Sequence, residues 1–357
     1  MLLDYALTHR RRGLVSLVIA AGALSFEGHA HAFTIESQLS PGCHEGMTTD
    51  ALRAVRKEMA TAGPLPRSGD DGPLIDDLPF SVDADMADIG GATLLIGIRD
   101  NDLKGRNAES LDQLIEVHGD PAHQREHCLR TPDEDEPDGT AASVADCRAF
   151  IREHVIAAID NGLSDAGTPD ATKRTVVKVA LSIAGIAEAE LPTFYLELGR
   201  AMHALQDSFA HDFRSADGTR VTVALNWVDY AEGGLVESRD GPAHLTPLDR
   251  CDDADGLRTQ RHMLAVRAST ELLRAALDPS LDRAGKLAAV DATLDRYLSF
   301  QPGCTSDNGW CAAPERVYQN AGGCGCTVVR PSSVLAGAAP LLITLVALLR
   351  RRSARHV

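Results

Sequence analysis

Apolar residues recur at helical spacing through much of the chain, and the polar positions between them mark faces turned to solvent. Five long stretches carry that pattern: Ser143 to Leu163, Lys173 to Ala189, Thr193 to His211, Thr259 to Leu277 and Leu281 to Leu298. A further helix is expected from Thr48 to Ala62, capped at Thr48 or Thr49, and a short one from Ser110 to Val117. Residues 63–90 are rich in Gly, Pro and Asp and read as loop, as does the acidic, Pro-containing run Thr131 to Gly139. Residues 212–258 also read as loop, with one short β excursion from Arg220 to Leu225. Few segments alternate with period two, and no internal repeat is visible. The expected class is therefore all-α, a multi-helix bundle with long loops and one core domain over residues 33–300.

Both ends depart from this pattern. Arg10, Arg11 and Arg12 precede a short apolar run from Leu14 to Leu24, and Ala30-His31-Ala32 offers a small-x-small cleavage site. Residues 1–32 thus read as a signal peptide, with Phe33 first in the mature chain. Residues 301–333 read as a Cys-rich linker that ends near Cys324 and Cys326. Residues 334–357 follow as an apolar run, Val334 to Leu349, closed by Arg350, Arg351 and Arg352. This end resembles the C-terminal surface-sorting tail of myxobacteria and their relatives. The resemblance implies export to the cell surface at the outer membrane, with sorting machinery as a partner and the tail removed. A plain tail anchor is the alternative reading.

Charge narrows the partners. The 357-residue chain has a formal net charge of −16, and its terminal segments hold a surplus of Arg, so the core is more acidic still. Such a surface repels polyanions, which makes nucleic acid the less favoured partner. Eight Cys in an exported chain suggest disulfides. Cys304 and Cys311 are placed to close a small loop. Cys43, Cys128, Cys147 and Cys251 supply two more bridges whose pairing the sequence leaves open.

The chemistry concentrates in the run from Leu198 to His211. His203, Asp207 and His211 are spaced four and four. On a helix they fall within roughly 80° of one another. Pro192 suits a first turn, and Phe194, Leu198, Ala201, Met202, Leu205 and Phe209 form an apolar stripe beside the triad. Two imidazoles and a carboxylate on one helical face make a metal-binding edge. Other candidates are His44, the pair Asp100 and Asp102, the group His118, His123 and His127, and the pair His244 and Asp249. His118 and His123 read as surface or supporting residues. Asp133, Asp135 and Asp138, like Asp252, Asp253 and Asp255, miss the spacing of a Ca²⁺ loop and read as solvated. Trp227 and Asp229 fit either cleft lining or packing.

These residues resemble the zinc-dependent phospholipase C superfamily. That group includes fungal single-strand nucleases and the catalytic part of glycosylphosphatidylinositol-specific phospholipase D. The resemblance covers about residues 33–300 and implies an all-α bundle holding two to three Zn²⁺. It implies Phe33 as a ligand through its free amine and carbonyl oxygen, followed by His44, Asp102 (with Asp100 the close alternative), His127, His203, Asp207, His211, His244 and Asp249. Three residues separate Asp207 from His211, a shorter form that resembles the phospholipase D branch. The closing pair is His-x4-Asp where His-x3-Glu is usual, and Phe stands where Trp is usual. The implied activity is hydrolysis of a phosphodiester, most naturally in phospholipid at a membrane surface, by a zinc-activated water. Asp207 would bridge metals and Asp102 would orient or deprotonate the water. Alternatives are a nuclease of the same superfamily, or a non-catalytic surface protein stabilised by zinc. The acidic charge and the scarcity of stacking aromatics, five Tyr and two Trp, count against the nuclease.

Overall fold

The computed structural model describes residues 33–37, 40–134, 139–251 and 255–321. The chain divides into two units at Glu315. Of the second unit, only the helix Arg316–Ala321 falls among the described residues. In the first unit the order is α1 (Cys43–Glu58), α2 (Ile89–Leu103), α3 (Leu111–Gly119), α4 (Gly139–Gly162), the strands β1 (Arg174–Leu181) and β2 (Gly185–Pro192), and α5 (Thr193–Asp207). There follow β3 (Asp212–Arg214), β4 (Arg220–Ala224), α6 (Gly256–Leu277), α7 (Arg283–Tyr297) and β5 (Ser299–Phe300). Shorter helical turns fill connections, among them Asp71–Asp76, Pro121–His127 and Thr246–Asp249.

Helix α5 is the axis of the unit. Every one of its residues except Arg200 is buried. Phe194, Leu198, Met202 and Leu205 join Met47 and Leu52 of α1, Ile151 and Val155 of α4, and Leu272 of α6 in the main core. A second apolar cluster lies between α2 and the hairpin, where Ile89, Leu95 and Ile96 meet Val177, Val179 and Leu191.

The all-α expectation is corrected by two small sheets. The segment Lys173–Ala189, read as helix from its apolar content, forms an antiparallel hairpin with Arg174 opposite Pro192 and Leu181 opposite Gly185. Its β-branched residues decide the outcome. Val177 and Val179 face inward while Val176 and Lys178 are exposed, which is a period of two and not 3.6. Gly185 takes the left-handed backbone at φ +71 that closes the turn. The second sheet places β4 between antiparallel β3 and parallel β5, and it includes the short β excursion expected at Arg220. The molecule is thus helix-rich and mixed, not purely α.

Helix α2 was not legible as a helix. All its residues are buried, so it carries no polar face and no amphipathic signal. Asp88 caps it by accepting the N–H groups of Gly90 and Gly91 at 2.9 and 3.2 Å. It crosses α5 at two glycines. A Cβ on Gly97 would lie 2.4 Å from the Leu196 carbonyl oxygen, and one on Gly199 would lie 2.6 Å from that of Leu94. Backbone therefore meets backbone, which brings the C-terminal turn of α2 beside the ligand-bearing end of α5.

The expectation of an exported protein carrying a C-terminal hydrophobic tail is also corrected. Among the described residues no helix is long and apolar enough to cross a membrane. The segments behind that expectation, residues 1–32 and 334–357, lie outside the described residues, as do Cys324 and Cys326. The disulfides Cys43–Cys251, Cys128–Cys147 and Cys304–Cys311 are compatible with export.

The glycine crossing yields a stability prediction. Gly97→Ala forces α2 and α5 apart and costs about 1–3 kcal/mol. Gly46→Ala, on the exposed face of α1 with open space around it, gains about 0.5–1 kcal/mol. Denaturant unfolding of the two variants should move in opposite directions. Equal midpoints would remove the crossing as a constraint.

Candidate metal centre

Every candidate ligand except Phe33 is drawn into one buried cluster. Three groups within it could each hold a metal ion: His44, His203 and Asp207; Asp102, His118 and His127; and His211, His244 and Asp249. Helix α5 supplies His203 and Asp207. His211 lies just past its end but keeps helical register, since its N–H still reaches the Asp207 carbonyl at 2.8 Å. The loop between β4 and α6 brings His244 to 3.1 Å from Asp249 despite the His-x4-Asp spacing. Trp227 packs its ring against His244 at 5.6 Å.

Asp102 is separated from Asp100 by its partners. Asp100 accepts Arg200 Nε at 2.8 Å and is committed to that ion pair. Asp102 Oδ1 faces His118 Nε2 at 3.0 Å, His203 Nε2 at 3.6 Å and His127 Nδ1 at 3.8 Å. Asp102 lies in the last turn of α2, not in a loop.

His118, read as a surface or supporting residue, lies beside Asp102 and shares with it and His127 a group that could hold a metal ion. It stacks on His127 at 4.9 Å, and its side chain is 21% exposed where those of His127 and His203 are 0%, so solvent reaches the cluster at this point. It follows Asp102 on the helix α3 face nearest that carboxylate, a proximity that only the α2–α3 connection creates. His123 does stand outside the cluster, bonded to Glu126 at 2.5 Å. Asp255 caps α6 by accepting the N–H groups of Leu257 and Arg258. Asp135, Asp138, Asp252 and Asp253 lie outside the described residues.

Proton placement shows what the cluster needs. His203 Nδ1 donates to the Ile98 carbonyl at 2.7 Å, His211 Nδ1 to that of His127 at 2.6 Å, and His118 Nδ1 to that of Leu114 at 2.8 Å. His44 Nδ1 donates to Gln206 Oε1 at 2.7 Å. Each neutral ring is left with a bare Nε2 lone pair. At His44 and His211 that lone pair faces a carboxylate oxygen: His44 Nε2 lies 3.1 Å from Asp207 Oδ1 and His211 Nε2 lies 3.8 Å from Asp249 Oδ1, whereas His203 Nε2, 2.9 Å from Asp207 Oδ2, carries a proton it can donate. Among the buried atoms without a hydrogen-bond partner are His44 Nε2, Asp207 Oδ1, His211 Nε2 and both Asp249 oxygens. Lone pair against lone pair, away from water, is repulsive. A cation between them reverses the sign, and imidazole held through its other nitrogen is the usual metal ligand. The donor set fits a divalent metal.

The charges agree. Burial disfavours an ionised Asp207, but His203, His211 and His44 outweigh it and hold the carboxyl well below its usual range. Burial pushes His211 down to about 4, as it does His127 and His244, so all three are neutral donors at pH 7. Burial also opposes charge on His203, yet Asp207 and Asp102 raise it to about 9. Asp249 is pushed well above the carboxylate range by burial and by Asp207.

Two disulfides sit against the ligands. Cys43 precedes His44 and pairs with Cys251, two residues after Asp249. Cys128 follows His127 and pairs with Cys147 of α4. Phe33 is buried, with its ring edge-on to that of His44 at 5.9 Å. The Thr34 carbonyl accepts the N–H groups of Cys43 and His44, which lays this segment against the start of α1.

No protein-family model matches the chain, and no curated protein or solved structure matches it either. The case for a function therefore rests on these residues.

Two outcomes follow from this geometry. Asp207→Ala removes a carboxylate shared by His44, His127 and His203, so elemental analysis should show the loss of metal at two positions together. Loss at one would mean that Asp207 is no bridge. In metal-free protein at pH 7, His203 holds a proton, so metal binding at this ring releases it and weakens as pH falls. Calorimetry in buffers of different ionisation enthalpy should give different apparent enthalpies, and equal values would contradict this proton inventory.

Proposed function

We propose that the chain is a zinc-dependent phosphoric diester hydrolase of the phospholipase C-like kind, acting on phospholipid. The observation that carries the reading is three adjoining His/Asp groups, each able to hold a metal ion, in which His44, His127 and His211 Nε2, Asp207 Oδ1 and both Asp249 oxygens are buried without hydrogen-bond partners. Imidazole and carboxylate donors with no thiolate suit zinc, and two to three ions are the number the groups accommodate. Zinc, when bound, supplies a lowered pKa for coordinated water and neutralises phosphate charge.

The chain's own groups divide the remaining work. Asp207 is the shared anion and stays ionised. Asp102 lies on the side where His118 meets solvent. Burial works against its charge, but His203 and His118 hold its carboxyl below the usual range, so it stays ionised, which suits it to orient a water by accepting its hydrogen bond more than to deprotonate it. His211, His244 and Asp249 close the opposite side. In a chain that begins at Phe33, whose ring lies edge-on to that of His44 at 5.9 Å, the freed amine would add a donor on the His44 side, for which it must be unprotonated.

The acidic balance of the chain favours a lipid phosphodiester over a polyanionic nucleic acid. The test is a comparison of the protein beginning at Phe33 with a variant carrying one added residue before it. Zinc is counted, and hydrolysis of phosphatidylcholine vesicles and of single-stranded DNA is measured. The reading expects two to three zinc ions, cleavage of the vesicles, and loss of one ion with most activity in the extended variant. Cleavage of DNA alone would reassign the substrate, and zinc without either activity would make the centre structural. Full activity after extension would remove Phe33 from the ligand set.

A further inference from the structure

We propose that Gln206 sets the tautomer of His44 and so decides whether a metal ion is held between His44 and Asp207. This rests on the metal-centre reading above and adds to it a residue outside the ligand set. His203, His211 and His118 lean on backbone carbonyls, which no side-chain substitution removes. His44 instead leans on a side-chain amide, which the sequence could have made otherwise.

Gln206 is fully buried on α5, next to Asp207. Its Nε2 donates to Thr48 Oγ1 at 3.0 Å and to Ser269 Oγ at 3.1 Å, which anchors the amide to α1 and α6. Oε1 faces His44 Nδ1 at 2.7 Å. An acceptor there requires the proton on Nδ1, and Nε2 is left bare before Asp207 Oδ1 at 3.1 Å.

The competing state explains why this matters. With no acceptor at Nδ1, His44 can carry its proton on Nε2 and donate it to Asp207. That hydrogen bond satisfies both groups and occupies the two atoms a metal would use. Gln206 closes this alternative because it would leave its own oxygen and His44 Nδ1 as facing acceptors in a buried site. Gln206 is thus a positioning residue, acting through His44.

The test uses Gln206→Met, which keeps length but removes the acceptor, and Gln206→Glu, which keeps the acceptor. Ring ¹⁵N shifts of His44 are read in chelator-treated protein. Zinc is then counted and its affinity is measured by competition with a chromophoric chelator. In the wild type and Gln206→Glu, His44 should carry its proton on Nδ1, with equal zinc stoichiometry. In Gln206→Met the proton should move to Nε2, and one ion should be lost or bound about 10–100-fold more weakly, with the others retained. The proposal is overturned if Gln206→Met keeps the Nδ1 proton and full zinc affinity. It is also overturned if Gln206→Glu loses the ion as Gln206→Met does, because orientation by Thr48 and Ser269 would then be the whole effect. If the wild type binds no zinc, the metal reading itself fails, while the wild-type His44 tautomer still tests the Gln206 contact. Should Gln206→Met fail to fold, the wild-type tautomer and the Gln206→Glu stoichiometry still decide.

Discussion

A carboxylate with no access to water governs this molecule. Asp207 sits at the end of a helix that is otherwise packed in hydrocarbon, and its charge has to be answered within the fold. Histidines converge on it from α1, from the turn that ends at His127 and from α5 itself. Those rings would satisfy the charge as cations, but burial resists that for His127. Their Nδ1 atoms, moreover, are largely spent on carbonyl and amide oxygens. What is left is a set of unpartnered nitrogens on His44, His127 and His211 close to buried carboxylates, a set that could hold a metal ion. The core helices, the polar relays and the disulfides can all be read as the scaffold needed to hold that arrangement in place.

The scaffold works by close approach. At Gly97 and Gly199 the backbones of α2 and α5 touch, so Asp102 and His203 arrive on the same side of the cluster with little room for drift. Behind them lies a layer of ion pairs: Arg200 with Asp100 and Glu197, and His154 with Glu197. Asn101 adds a hydrogen bond to the Arg200 carbonyl at 3.1 Å. This layer explains why two aspartates in one short sequence have different fates. Asp100 points into a salt-bridge network and Asp102 into the metal cluster, as residues two apart on a helix must point in different directions.

Much of the candidate centre was legible in the sequence, because its core lies on one helix. The four-and-four spacing of His203, Asp207 and His211 needed no tertiary knowledge to place them on one face. The helices whose buried stripe contrasts with a polar face, such as α6 and α7, were legible for the same reason. Two things were not. Helix α2 is enclosed on all sides, and a helix without a wet face has no periodicity to read. The hairpin was hidden by the opposite fault: valines and isoleucines at mixed spacing satisfied a helical template, although their branched side chains suit a pleated surface better. That His118 stands beside Asp102 was not legible either, since it depends on how α3 folds back.

The pairing of Cys43 with Cys251 has a bearing on the order of assembly. His44 lies near the start of the described chain and Asp249 well past its middle, yet the two are tethered through adjacent half-cystines with a separation of 208 residues. Contacts of such range are the slowest to form, because the chain must first close a long loop. Helix α5 can present its triad early, from local structure alone. The full ligand set exists only after the distant segments have met. Under the proposed metal reading, the candidate centre is therefore also a checkpoint on folding: a chain able to hold metal at the full ligand set is a chain whose distant segments have already met.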